Sequence, residues 1–295
     1  MDRLIFDQDF LQKLEYLSMI SRRIYRGEAR GSHSSYKKGV SPDFADYRSY
    51  QPGDDFRSID WNIFGRLDRL LVKLYAEEED LSVHVLLDAS LSMAYGDPRK
   101  IDYTRRVAAA LGYIAICSLD RVGVTTFAAG LGGALAPRRG RAQLFHLFEY
   151  LSRIRAEGET RVSRSLEDYA LRAKRPGLAI VISDLLDPEG YVRGMMALLY
   201  RRFDIVLVQV LDRDEIAPQG EGPLRLTDME TGQALGLTID RPMLAAYHHR
   251  VSEYFSVLEA FCLKNGIEYL RTSTLVPFED VVLKYLRQGA HLHAR

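Results

Sequence analysis

Two short apolar runs, each ended by an aspartate, constrain this chain most. "VHVLLD" covers residues 83–88 and "GLAIVISD" covers 177–184. The second is continuously apolar, as a strand covered on both faces must be. Other runs of strand length lie at 121–130, 204–211 and 267–274. Segments of helical period fall between and after them, at 102–119, 141–154, 160–174, 189–202, 242–266 and 277–288. Gly266 fits a helix stop and Pro277 a first helical turn. Strands alternating with helices predict an α/β protein with an open, mainly parallel, doubly wound sheet. "GGALAP" after residue 130 reads as a short hairpin return, and 223–239 as a hairpin around Glu230–Gly232.

The N-terminal part has another rhythm. Residues 7–26 predict an amphipathic helix with Phe10, Leu11, Leu14, Leu17, Ile20 and Ile24 on one face. Residues 27–40 are glycine- and serine-rich and read as a loop. Arg22, Arg23, Arg26, Arg30, Lys37 and Lys38 lie close together in sequence with only Glu28 against them, as a solvated surface or as a docking face for an acidic partner. In 43–80, Pro52-Gly53 marks a turn, and 70–79 reads as a strand that becomes acidic. Asp54, Asp55, Arg57 and Asp60 form either a fixed ion-pair network under the sheet or the rim of a partner surface. Trp61, the only tryptophan, favours the network, because its ring calls for burial and its N–H for an acceptor. The expected division is an N-terminal helix with a β-rich extension at 1–80, and an α/β domain at 81–290.

Composition narrows the classes. Of 295 residues, 40 are basic and 40 acidic, so net charge points to neither nucleic acid nor a membrane surface as a general partner. No window reaches the roughly 20 apolar residues of a membrane span. The acid-bearing N-terminus does not read as a signal peptide. A soluble, cytoplasmic protein is expected, with Cys117 and Cys262 as reduced thiols. "HLHAR" at the end reads as a frayed tail, and His146, His248 and His249 as surface or core residues of helices.

In open α/β sheets, sites form beyond the carboxyl ends of the strands. Asp88 and Asp184 both stand there. After Asp88 the chain continues "ASLS", placing Ser90 and Ser92 at alternate positions. Thr160, in "GETRVSRSL" at the start of a predicted helix, offers a fifth oxygen. Hard oxygen donors of low total charge suit Mg²⁺ or Mn²⁺. The competing reading is that serine and aspartate merely cap the helix after the strand.

Asp88-Ala-Ser90-Leu-Ser92, Thr160 and Asp184 together resemble the metal-ion-dependent adhesion site of von Willebrand factor A domains. The resemblance implies that the two serines and the threonine hold the ion, the aspartates act directly or through water, and a partner's acidic side chain completes the shell. The segment before it is similar to the bacterial family called domain of unknown function 58. It carries Gly31 and His33; Phe44, Arg48 and Tyr50; Pro52 to Asp55; and Arg57, Ile59, Asp60 and Trp61. One departure is Arg161, where such domains often carry an acid, which alters the charge facing a partner. Membership implies work beside a MoxR-type AAA+ ATPase in assembly or maturation of other protein complexes. Asp54, Asp55, Arg57 and Arg161 are then candidates for partner contact.

The alternative is a Mg²⁺-dependent phosphoryl-transfer hydrolase with Asp88 as nucleophile. Aspartyl-phosphate phosphatases carry a second aspartate two residues on as general acid, and here that place is Ser90, whose hydroxyl is a poor acid. Neither Gly-x-x-x-x-Gly-Lys nor Gly-x-Ser-x-Gly occurs. A non-enzymatic, metal-dependent binding module is the expectation.

Overall fold

The computed structural model describes residues 5–28, 44–75, 81–220 and 222–292. Gly31, His33, Arg30, Lys37, Lys38 and the acidic stretch 76–80 lie outside the described residues, as do the side chains of Arg23, Ile24, Arg26 and Phe44. The chain divides into two compact units, Met1–Glu28 with Leu81–Arg295, and Ala29–Asp80.

In the larger unit the elements run α1 Gln8–Glu28; then, after the smaller unit's β1 Phe44–Ser49, α2 Trp61–Leu67 and β2 Leu71–Tyr75, they continue with β3 Ser82–Asp88, α3 Lys100–Cys117, β4 Arg121–Phe127, β5 Leu131–Arg138, α4 Ala142–Arg153, α5 Val162–Arg172, β6 Leu178–Ser183, α6 Val192–Tyr200, β7 Asp204–Leu211, a single turn α7 Arg213–Ile216, β8 Gly222–Thr227, β9 Ala234–Ile239, α8 Arg241–Lys264, β10 Glu268–Ser273 and α9 Phe278–Leu292. Six strands form one sheet in the order β10-β7-β6-β3-β4-β5. Every pairing is parallel except β4 with β5, the hairpin return. This is the open, mainly parallel sheet that the alternating pattern predicts.

Alternation along β3 sorts the core into two layers. Val83, Val85 and Leu87 join α1, α3, α4 and α9 on one face. Leu86 joins Val162 and Leu166 of α5, Met195 and Leu198 of α6, and Leu258 of α8 on the other. Both layers are apolar, so β3, β6 and β7 are buried nearly end to end.

The N-terminal helix belongs to this larger unit, although the sequence groups it with residues 27–80. Asp7 Oδ1 accepts from the Phe10 N–H at 2.8 Å and starts the helix. Phe10, Leu14 and Leu17 are buried, and the Phe10 and Phe278 rings lie 5.0 Å apart. Of the stripe read from the sequence, Phe10, Leu14 and Leu17 form the buried face of a helix that meets α3 and α9, whereas Leu11 is exposed.

In the smaller unit β1 and β2 pair antiparallel, and α2 lies between them in sequence. Asp60 organises it. Its Oδ1 accepts from the Asn62 and Ile63 N–H groups at 3.0 and 3.3 Å and so caps α2. Its Oδ2 accepts from the Tyr47 hydroxyl at 2.8 Å and pairs with Lys73 Nζ at 3.1 Å. Asp54 takes Arg48 at 2.8 Å and the Gln51 N–H at 2.9 Å. Asp55 accepts from the Arg57 N–H at 2.9 Å. A polar network is thus present within residues 44–75, but the argument from Trp61 is overturned. Trp61 is 59% exposed. As the first residue of a two-turn helix it projects outward, with the edge of its ring on Phe64.

The Tyr47 hydroxyl, with help from Lys73 and two backbone N–H groups, holds the Asp60 carboxyl down at about 2. A depressed carboxyl stabilises the fold fully above its unfolded value of about 4 and loses that contribution as pH falls through about 2. Asp60→Ala should therefore speed amide exchange across residues 44–75 at pH 7, with the gap from wild type narrowing in strong acid. Unchanged exchange at pH 7 would remove Asp60 from the structural role.

Candidate metal centre

Adjacency of β3 and β6 in the sheet brings their carboxyl ends together. Asp88 ends β3, Asp184 follows β6, and both are fully buried. Ser183 Oγ donates to Asp88 Oδ2 at 2.6 Å and ties the two strand ends. Asp88 Oδ1 accepts from both the N–H and the hydroxyl of Ser90, at 2.9 and 2.7 Å. The Ser90 and Ser92 hydroxyl oxygens lie 3.0 Å apart, and Ser92 Oγ lies 3.5 Å from Thr160 Oγ1.

This geometry decides between capping and clustering. The chain leaves β3 through a 3-10 turn, Leu91–Ala94, and Ser90 stands at its head without a side-chain bond to it. The next helix starts only at Lys100, again without a side-chain cap. Ser90 turns its hydroxyl to Asp88 instead. Thr160 is not within a helix as the sequence suggests. It sits two residues before α5, in a loop laced to the first by backbone bonds. Glu157 N–H reaches Ala89 O at 2.7 Å and Leu91 N–H reaches Gly158 O at 2.9 Å, while Arg161 N–H reaches Ala128 O, after β4, at 3.1 Å. Asp187 accepts from Val162 N–H at 2.7 Å and fixes the start of α5.

The electrostatics are demanding. Burial, with the Asp184 charge adding to it, pushes the Asp88 carboxyl up to about 7. Asp184 has its own cation, which the sequence did not reveal. Lys100 is fully buried, and its Nζ reaches Asp184 Oδ2 at 2.6 Å and Glu215 Oε1 at 2.5 Å. Burial by itself would lower the ammonium's pKa; Asp184 and Glu215 outweigh it and hold it above the ordinary value. Glu215 is placed by a capping box with Asp212. Asp184 Oδ1 accepts from the Leu186 N–H at 3.1 Å, and Gln209 Nε2 donates to the Asp184 backbone oxygen at 2.9 Å.

A second feature invisible to local pattern is Glu230. The tip of the β8–β9 hairpin places its carboxylate on Thr160, with Oε2 accepting from the Thr160 N–H at 3.0 Å and Oε1 from the hydroxyl. Arg161 pairs with Glu159 at 3.3 Å and with Glu189. Asp88, Ser90, Ser92, Thr160 and Asp184 thus meet at one sheet edge of the larger unit, whereas Asp54, Asp55 and Arg57 belong to the smaller one.

Do these residues fit a divalent cation? Among the described residues no three His, Cys, Asp or Glu side chains cluster as ligands. The donors here are mainly hydroxyls, which suit a hard cation. Neighbouring oxygens around Mg²⁺, at about 2.1 Å from the ion, lie about 3 Å apart, and Ser90 and Ser92 already have that spacing. Asp88 and Glu230 are carboxyl groups that Lys100, engaged with Asp184 and Glu215, does not pair. The residues fit Mg²⁺ or Mn²⁺.

Residues 46–254 match the family described as "Protein of unknown function DUF58", and the chain belongs to that family. The sheet order gives it an open, mainly parallel α/β fold, with one antiparallel strand at the edge. An uncharacterized protein of Mycobacterium tuberculosis and one of Mycobacterium bovis are each 25% identical over 241 residues, covering 80% of this chain and 76% of the relative. Among solved structures, the conserved hypothetical protein BatB of Bacteroides thetaiotaomicron is 14% identical, with a TM-score of 0.47 over 73% of this chain and all of that one. The SpRpn10 VWA domain is 11% identical, with a TM-score of 0.40 over 69% of this chain and 95% of its own. Among the described residues no helix is long and apolar enough to cross a membrane.

Proposed function

We propose that this protein is a metal-dependent protein-binding module, an adaptor or co-chaperone acting with a MoxR-type AAA+ ATPase in the assembly or maturation of other complexes. The observation that carries the binding reading is that the Ser90 and Ser92 hydroxyls join a connected set of oxygens with Asp88 and Thr160. Ser90, Ser92 and Thr160 would hold the ion, with Asp88, both of whose oxygens accept hydrogen bonds, acting through water or through the Ser90 hydroxyl, and Asp184, steadied by Lys100, as an outer support. Bound Mg²⁺ or Mn²⁺ would supply a centre that accepts a carboxylate oxygen from an acidic side chain of the ATPase or its client. The ATPase partner follows from family membership as read in the sequence, and the site supplies the kind of contact such a partner would make.

Nothing in the geometry favours the hydrolase alternative. Both Asp88 oxygens accept hydrogen bonds and the side chain has no exposed surface. Ser90, at the place of the needed acid, is the donor that occupies one of them. The module is not expected to be an enzyme.

Co-purification with the MoxR-type ATPase of the same organism tests the proposal. Capture should occur in Mg²⁺, fall in EDTA, and fail with Ser90→Ala/Ser92→Ala in either. Equal capture under all conditions would mean that the partner is held without the metal site.

A further inference from the structure

We propose that Glu230 is this chain's own acidic ligand for the metal centre, and that the β8–β9 hairpin is the arm that delivers it. The inference rests on the metal reading above and adds the occupant of the position that a partner's carboxylate would take.

The hairpin has no core of its own. Residues 223–229 and 231–236 are all exposed, with Leu226, Met229 and Leu235 among them, and only Glu230 at the tip is half-buried. Burial of an apolar face therefore does not seat the tip. The turn is instead built to aim one carboxylate. Asp228 Oδ1 accepts from the Glu230 and Thr231 N–H groups at 2.7 and 3.1 Å, and the Gly232 N–H closes the turn on Asp228 O at 2.9 Å. Gly232 has φ +71°, which favours glycine. The side chain so aimed engages both polar groups of Thr160, one of them the hydroxyl assigned to the ion.

Charge makes the arrangement informative. The Thr160 hydroxyl leads through Ser92 and Ser90 to Asp88. Glu230 therefore adds a carboxylate to a site that already holds two buried ones. Lys100 is bound to Asp184 and Glu215, and Arg161 to Glu159 and Glu189. A divalent ion among these oxygens would supply the cation for the carboxylate that Glu230 brings. It follows that an incoming acidic side chain must displace Glu230, so the hairpin regulates access to the ion.

The test is a calorimetric titration of Mn²⁺ into wild type, Glu230→Gln and Ser90→Ala/Ser92→Ala, with amide exchange of residues 223–239 followed with and without Mn²⁺. Glutamine keeps the shape and an acceptor for Thr160 but drops the charge, and the exposed hairpin is not needed for the core. Glu230→Gln should lose about tenfold or more in Mn²⁺ affinity, the scale of removing even an outer partner of a metal site. Mn²⁺ should slow hairpin exchange in wild type and not in the variant. Equal affinity in wild type and Glu230→Gln, with hairpin exchange indifferent to Mn²⁺, would overturn the inference while leaving the metal site intact. Failure of wild type itself to bind Mn²⁺ would overturn the metal reading and this inference with it.

Discussion

Lys100→Met should cost about 3–5 kcal/mol of stability at neutral pH, the scale for removing one partner from a buried ion pair. Methionine fills similar space, so the loss reports charge more than volume. Lys100 has no exposed surface, and its ammonium is the counter-ion of Asp184 and Glu215. Without it the buried Asp184 carboxylate and the half-buried Glu215 carboxylate lose their shared cation. Burial already raises the Glu215 pKa, and the Lys100 charge and hydrogen bond work against that rise. In the variant that opposition is gone. A carboxyl whose folded pKa is raised contributes its stability below the unfolded pKa and loses it as pH rises through the folded value. The deficit should therefore be smaller at pH 4 than at pH 7.5. Urea unfolding at both pH values measures it, and a deficit under about 1 kcal/mol at pH 7.5 would show that water, not Lys100, balances these charges.

The second expectation concerns the ion. Mg²⁺ held at about 100 times its Kd should stabilise wild type by about 2.7 kcal/mol. For a domain of this size that raises Tm by about 5–10 °C. Ser90→Ala/Ser92→Ala should show no such rise. In EDTA the double variant should melt close to wild type, since the lost Ser90 hydroxyl bond is worth about 1 kcal/mol. The remaining bonds to Asp88, from the Ser90 N–H and the Ser183 hydroxyl, survive the substitution. Melting curves in Mg²⁺ and EDTA separate the two effects. A variant that still gains stability from Mg²⁺ would place the ion elsewhere.

Some of this was legible in the sequence for physical reasons. Strands buried on both faces must be apolar throughout, so 83–88, 177–184 and 204–211 stood out at nearly their final limits. Donor types at strand ends also announce themselves, which is why Asp88, with Ser90 and Ser92 after it, and Asp184 are legible, whereas Thr160 stands before a helix. The hairpin at 223–239 was marked by its Glu230–Gly232 turn. What stayed hidden depends on contacts between distant segments. Lys100 looks like any helix-start lysine until Asp184, 84 residues on, and Glu215, 115 on, close over it. Glu230 lies 70 residues from Thr160 and reads only as a turn residue. Helical period begins near Thr160, so the sequence predicts a helix from there, yet α5 starts at Val162. Residue type alone predicts burial of Trp61, yet it is exposed at the head of α2.

Calorimetric titration of Mg²⁺ and Mn²⁺ into the purified chain, beside Ser90→Ala/Ser92→Ala, bears most directly on the claim that the Asp88–Ser90–Ser92–Thr160 cluster is a metal centre. One ion should bind per wild-type chain, and none to the double variant. No binding to wild type, or binding of equal affinity and stoichiometry to both, would contradict it.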